Sequence, residues 1–384
     1  MSASSIRVLV VDDSVVVRQV ICDALRSDPA IEIVGVAQNG KVALEKLDAA
    51  KPDVITLDLE MPEMDGLATL DALRHRGSRV PVVVFSTLTE RGARATLDAL
   101  TRGANDYVCK PSGQKSLAAT VETIRTDLLP RIHTLHERAR RRLGIAPLAG
   151  SAALPQAPRT QPISQPLAPL PNMPLGAIDV ITIGVSTGGP GALAEILPLL
   201  SPNLAQPVLI VQHMPPVFTR VLAQRLSEKG PLRVREAQDR DRLEPGTVLI
   251  APGDYHMRIA GTRREPLVAL DQQPTVNGCR PAIDPLFESA ATIFGRGVLA
   301  LVLTGLGQDG TRGATAVRKA GGHVWAQDEA SSAAYSMPGS VVNAGLSNRV
   351  LPLAMIGSAI SDAARIAPCQ RAGSGPLAQA RKLP

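Results

Sequence analysis

Short β-rich runs alternate with helical stretches along most of this chain, and that alternation restricts the fold more than any other feature. From Ile6 to about Leu129, IRVLVV is followed by VVVRQVICDALR, and IEIVGVA by KVALEKLDAA. DVITLDL precedes a helix starting after Asp65, PVVVFS one running through Thr96, and NDYVCK one starting after Gln114. Five repeats of this kind predict a flavodoxin-like, five-stranded parallel sheet wrapped by helices on both faces, with right-handed crossovers. Between Leu143 and Leu175 the periodicity stops. The stretch GIAPLAGSAALPQAPRTQPISQPLAPLPNMPLG is proline-rich and nearly uncharged, and reads as an extended linker without packed structure. A second α/β pattern begins at Ile178, with DVITIGVS, PVLIVQHM, TVLIAPGDYH, RIAG with PLVALDQQ, VLALVLTGLG, HVWAQ and SNRVLPL as strands. It predicts a doubly wound α/β domain with some antiparallel additions. The expected division is a domain over 4–130, a basic helix end and linker over 131–176, a second domain over 177–369 and a flexible tail over 370–384.

Composition narrows the class. With 384 residues, 45% hydrophobic and 20% charged, the chain suits a soluble protein of two domains. No apolar run reaches the roughly 18 residues of a membrane helix. The start, MSASSIRVLVVDD, lacks a basic n-region and reads as a first strand, not a signal peptide. Cys22, Cys109, Cys279 and Cys369 show neither paired nor metal-site spacing, which suits a reducing, cytoplasmic setting. His256 and His323 lack partners at zinc-ligand spacing. The net charge of +6 owes much to RIHTLHERARRR, Arg131 to Arg142, read as a solvated helix end or tether and not a nucleic-acid arm. A second domain near 190 residues and rich in β-structure is also too large for a helix-turn-helix module.

Three carboxylates fall at the carboxyl ends of predicted strands: Asp12 and Asp13 after VLVV, and Asp58 after VITL. In a parallel sheet these ends share one crevice. Like charges 4 Å apart repel by about 4 kcal/mol at an effective dielectric near 20, so the cluster calls for a divalent cation, with oxygen ligands favouring magnesium. Ser86 follows the fourth strand and Lys110 the fifth, at the same edge. The segments VDDS, LDLEMPEMDG, FST and KP resemble, in order, those of response-regulator receiver domains. The resemblance implies that Asp58 accepts a phosphoryl group from a histidine kinase. Asp12, Asp13, Asp58 and the Glu60 carbonyl would hold Mg2+, Ser86 and Tyr107 would relay the change, and Lys110 would contact the phosphoryl oxygens.

The second domain opens on ITIGVSTGGPGAL. Gly184-Val185-Ser186-Thr187-Gly188 fits G-x-S-x-G where a strand turns into a helix, the setting of a nucleophile elbow. Glycines after a first strand also cradle pyrophosphate in dinucleotide-binding folds, but those end the second strand in an acid. Here PVLIVQHM ends in Gln212 and His213, which favours hydrolysis with His213 as general base. Asp254 and Asp309 both follow strands and either could orient the imidazole. The long apolar run before Asp309 marks a buried strand and prefers it. Cys279, in NGCRPAID, reads as a small buried residue and not a nucleophile.

The segments IGVSTGGP, QHMP, APGDYHM, CRPAIDPLF, LTGLGQDG and AQDEASSAAYSMPGS, in that order behind a receiver, resemble the CheB family of chemotaxis response regulators, protein-glutamate methylesterases and glutamine deamidases. The resemblance implies a Ser186–His213–Asp309 triad, with main-chain N–H groups at Thr187 and Leu306 facing the oxyanion. It departs at Leu306, where the family carries methionine. It also implies chemoreceptor substrates, a chemotaxis histidine kinase as phosphodonor, no cofactor for ester hydrolysis, and action at receptor arrays without membrane insertion. In this reading the receiver folds back over the second domain, and phosphorylation at Asp58 uncovers Ser186.

Overall fold

The computed structural model describes residues 5–110, 116–142, 144 and 177–365. The first domain runs β1 (Ile6–Val11), α1 (Val15–Arg26), β2 (Ile31–Ala37), α2 (Gly40–Ala50), β3 (Val54–Asp58), α3 (Gly66–His75), β4 (Val82–Ser86), α4 (Glu90–Thr101), β5 (Asp106–Cys109) and α5 (Leu117–Arg142). Its strands form one parallel sheet in the flavodoxin-like order β2-β1-β3-β4-β5. All of β3 and β4 is buried, which is why they read as unbroken apolar runs: helices cover both faces. Asn39, Asp65 and Thr89 start the helices that follow them, accepting from the N–H of Val42, Ala68 and Gly92 at 2.9, 2.7 and 3.0 Å. Each cap contributes about 1 kcal/mol.

Helix α5 corrects one boundary and one surface reading. It continues through Pro130 to Arg142, so a division at residue 130 cuts a single helix. Nor is its basic half a solvated end. Ile124, Leu128, Ile132 and Leu135 recur at helical spacing and pack into the first domain's core, a stripe that the arginines conceal in the sequence. The linker over 145–176, the tail over 370–384, Pro111 and Cys369 lie outside the described residues.

The second domain runs β6 (Val180–Val185), α6 (Gly189–Ile196), β7 (Val208–Gln212), α7 (Phe218–Lys229), β8 (Arg233–Glu236), β9 (Thr247–Ile250), β10 (His256–Gly261), β11 (Pro266–Asp271), α8 (Ile283–Phe294), β12 (Val298–Val302), α9 (Thr311–Lys319), β13 (His323–Gln327), α10 (Ser336–Asn343), β14 (Arg349–Leu351) and α11 (Leu353–Ala364). Seven strands form a parallel sheet in the order β14-β13-β12-β6-β7-β9-β8. The antiparallel addition is the hairpin β10-β11. Strand β8, RVRE, escapes sequence reading because it is a short, charged edge strand. The chain enters at β6, winds outward through β7, then returns to the other side of β6 at β12. That reversal is the switch point where open α/β sheets build their sites.

The two domains pack together. Tyr107 of β5 stacks on Phe218 of α7, ring centroids 5.3 Å apart and 11° from parallel. Asp98 pairs with Arg225, Glu90 with Arg220 at 3.3 Å, and Arg141 with Glu329. One apolar cluster includes buried residues of both domains. A cavity of about 680 Å3 remains between the end of α5, at Arg138, Arg141 and Arg142, and the segment from Glu329 to Asn343.

Candidate active site

In the first domain, ligand oxygens of Asp12, Asp13 and Asp58 lie within 4.8 Å of one another. Asp12 and Asp58 are buried while Asp13 is exposed. Lys110 Nζ stands 2.7 Å from Asp58 Oδ2 and 3.1 Å from Asp12 Oδ2. Burial pushes Asp58 up to about 6 against the lowering effect of the Lys110 hydrogen bond, and it raises Asp12 likewise. Burial alone would lower Lys110, but its contacts with Asp58 and Asp12 hold it above its ordinary value. Asp12 Oδ2 is buried without a directed hydrogen bond, since Lys110 approaches it off-axis. A hard divalent cation among these oxygens would satisfy it, so the donor set fits the expected metal. The N–H of Glu60 reaches Asp58 Oδ1 at 3.3 Å, putting that backbone turn beside the acid. Ser86 instead donates to Gly92 O, 3.0 Å away in α4. Tyr107 points away from the acids, into the second domain.

In the second domain, Ser186 follows β6, His213 follows β7 and Asp309 follows β12. These are three adjacent strands of the sheet, so residues separated by more than a hundred positions meet at one rim. His213 N donates to Val185 O at 3.1 Å, and Gln212 Nε2 donates to Ser186 O at 3.0 Å, which ties the two strand ends together. Gly189 makes this possible: a Cβ there would fall 1.9 Å from Gln212 Oε1. Gly188, at φ +77°, supplies the turn. These two glycines therefore serve the turn and the strand-end link.

His213 Nε2 lies 2.8 Å from Asp309 Oδ2. A carboxylate only accepts, so Nε2 carries a proton toward it and Nδ1 is the nitrogen left to act as base once deprotonated. Asp309 is nearly fully buried and held from several directions. It accepts from Asn277 Nδ2 at 2.9 Å, Ile283 N at 2.6 Å, Asp284 N at 3.2 Å and Gly310 N at 3.0 Å. Burial raises its pKa, yet hydrogen bonds from His213 and these amides outweigh burial and leave it lowered. Asp284, by burial and the nearby Asp309 charge, is pushed up to about 6. The alternative carboxylate, Asp254, is taken by Arg280 at 2.6 and 2.9 Å, in the turn between β9 and β10.

One expected contact is not formed. Among the described residues the Ser186 hydroxyl has no hydrogen-bond partner; His213 Nδ1 instead faces Cys279 Sγ at 3.5 Å. Cys279 is partly exposed, not buried as its sequence context suggested. Burial lowers His213, but Cys279 and Asp309 on its two nitrogens more than offset this, taking it up to about 10. The N–H groups of Thr187 and Leu306 carry no hydrogen bond among the described residues, while the neighbouring Gly305 N and Gly307 N are used by Ala334 O and Ser336 Oγ. Thr187 itself is buried, and its Oγ1 donates to Asp106 Oδ2 of β5 at 2.8 Å. Arg131 Nε lies 3.0 Å from the same oxygen. Sequence reading missed Asn277, Cys279, Asp284 and Asp106 as members of these networks. The first three lie in VNGCRPAID, whose density of polar and special residues between two elements was the available signal.

Fold and site together define a receiver joined to a hydrolase with a buried Asp–His pair beside a glycine-flanked serine. The CheB methylesterase family model matches residues 181–360, and the response regulator receiver domain model matches 8–122. A relative from a Nocardioides species, named protein-glutamate methylesterase/protein-glutamine glutaminase, is 50% identical and covers 92% of this chain and 94% of its own. A relative of the same name from Trichodesmium erythraeum is 44% identical over 90% of this chain and 96% of its own. The solved catalytic domain of the Thermotoga maritima CheB methylesterase is 40% identical, covers 48% of this chain and 98% of its own, and gives a TM-score of 0.48. The chain belongs to the protein-glutamate methylesterase/protein-glutamine glutaminase family.

Proposed function

We propose that this protein removes methyl groups from γ-glutamyl methyl esters of chemoreceptors, deamidates receptor glutamines by the same route, and is switched on by phosphorylation at Asp58. The observation that carries the reading is the His213–Asp309 hydrogen bond at the rim beside Ser186, in a chain half identical to a relative of that name. Ser186 Oγ attacks the ester carbon, and His213 Nδ1 takes its proton while Asp309 fixes the ring. The unused N–H groups of Thr187 and Leu306 receive the oxyanion, about 3–4 kcal/mol for a well-placed donor. The imidazolium gives its proton to the departing methoxide oxygen, which leaves as methanol, or to the amide nitrogen of a glutamine, which leaves as ammonia. Water then releases the acyl group from Ser186. The contact from Leu306 is main-chain, so leucine in place of the family methionine leaves it intact.

In the receiver, Asp58 accepts the phosphoryl group of a histidine kinase and Lys110 steadies its oxygens. Asp12, Asp13, Asp58 and the Glu60 carbonyl would hold Mg2+, which when bound neutralises charge building on the phosphoryl oxygens. Ser86 and Tyr107 carry the change to the interface. Asp106 and Tyr107, on the strand that leads to Lys110, contact Thr187, the residue after the nucleophile, and Phe218, which supports a receiver that restrains the hydrolytic site until phosphorylated. The functional units are a receiver extending through α5 and a hydrolytic unit from residue 177. Among the described residues no helix is long and apolar enough to cross a membrane; we place the enzyme in the cytoplasm, at receptor arrays. Methanol release from methylated receptor membranes tests the reading. Addition of a phosphodonor should raise it, Ser186→Ala should abolish it, and Asp58→Ala should remove only the phosphodonor response. Undiminished release by Ser186→Ala would refute the serine mechanism.

A further inference from the structure

His213 Nδ1 must receive the Ser186 proton, because Nε2 is committed to Asp309 at 2.8 Å. The group standing on Nδ1 is nevertheless Cys279 Sγ, at 3.5 Å, while the Ser186 hydroxyl is unpartnered among the described residues. Cys279 is held in that place by its own segment. Val276 and Cys279 exchange backbone hydrogen bonds at 2.9 and 3.1 Å, closing a tight turn. Asn277, inside the turn, binds Asp309 at 2.9 Å and Asp284 at 3.0 Å, and Ile283 N donates to Asp309 at 2.6 Å. The segment that orients the carboxylate thus also presents the thiol to the ring.

We propose that Cys279 is a positioning residue of the hydrolytic site: its sulfur competes with Ser186 for His213 Nδ1, so the resting enzyme keeps its base on the thiol. The inference rests on the serine mechanism above and deepens it. With Sγ standing on Nδ1, the place that the Ser186 hydroxyl requires is occupied. The titratable and charged groups around the ring are Cys279 on Nδ1 and Asp309 on Nε2, with Asp284 behind Asp309 and Arg312 at 3.8 Å from Asp284. Cys279 opposes burial in holding the imidazole protonated. Removing the sulfur therefore lowers the pH at which the base becomes free.

The test uses full-length protein and p-nitrophenyl acetate hydrolysis across pH for wild type, Cys279→Ala, Cys279→Ser and Ser186→Ala. In both Cys279 variants the acid limb of kcat/KM moves down by about one pH unit, so that one unit below the wild-type midpoint relative activity rises about fivefold. A merely structural role would not move that limb. If Cys279→Ala does not fold, Cys279→Ser, with its similar size, carries the test. An unmoved limb in Cys279→Ser overturns the proposal. Hydrolysis undiminished in Ser186→Ala would instead sink the serine mechanism on which it stands.

Discussion

Asp58 has to be ionised to attack phosphorus, yet its burial takes the pKa from an ordinary 3.8 to about 6. Phosphorylation by acetyl phosphate should therefore fall off as pH drops through that value. The same shift predicts a stability effect. Between 3.8 and about 6 the folded protein holds a proton that the unfolded chain has released. This group's contribution to stability therefore declines as pH rises across that window and stays low above it. Asp58→Asn should raise the thermal midpoint at pH 7.5, measured with a chelator present, and leave it nearly unchanged at pH 4. An equal shift at both pH values would count against a buried, charge-strained acceptor. At this scale the sequence was informative where chemistry needs a residue type at a strand end, as for Asp12, Asp58, Ser186 and His213. It was uninformative for Cys279, whose partner lies 66 positions away and is met only after a turn closes.

Elements meet at the hydrolytic rim with little room to spare. A Cβ on Gly184 in β6 would fall 2.5 Å from Ile283 Cγ2 and 2.6 Å from Cδ1, at the start of α8. Ile283 also gives its N–H to Asp309, so pushing α8 away withdraws a donor from the carboxylate that orients His213. Gly184→Ala should cost about 1–3 kcal/mol of stability by overpacking. It should also reduce ester hydrolysis more than that loss alone explains, and Gly184→Ala with Ile283→Ala should recover activity. Failure of the second change to help would mean that the clash is absorbed elsewhere. Most strands were legible from apolar runs and turn residues, because parallel strands covered on both faces read as unbroken apolar stretches. Helix α5 was not: its apolar stripe runs beneath arginines that dominate any local reading.

For the whole molecule, the interface combines the Tyr107–Phe218 stack, the Asp106–Thr187 hydrogen bond and three ion pairs. Partly exposed ion pairs are worth at most about 1 kcal/mol each, but reversing one partner turns attraction into repulsion. Arg225→Glu should therefore raise unphosphorylated ester hydrolysis by up to about fivefold. Adding Asp98→Arg should bring it back down. If Arg225→Glu hydrolyses ester no faster, docking of the receiver does not restrain the site.

The sequence by itself determined two parallel α/β domains and which side chains end their strands. Both follow from local rules: apolar runs, caps and turns act over a few residues and need no knowledge of the rest. Which strand ends lie side by side, which carboxylate reaches the imidazole, and which groups of one domain touch the other were decided only by the tertiary structure. Strand order and domain docking set distances between residues far apart in the chain. Those distances settle that Asp309 and not Asp254 holds His213, that a thiol occupies its other nitrogen, and that Asp106 binds Thr187.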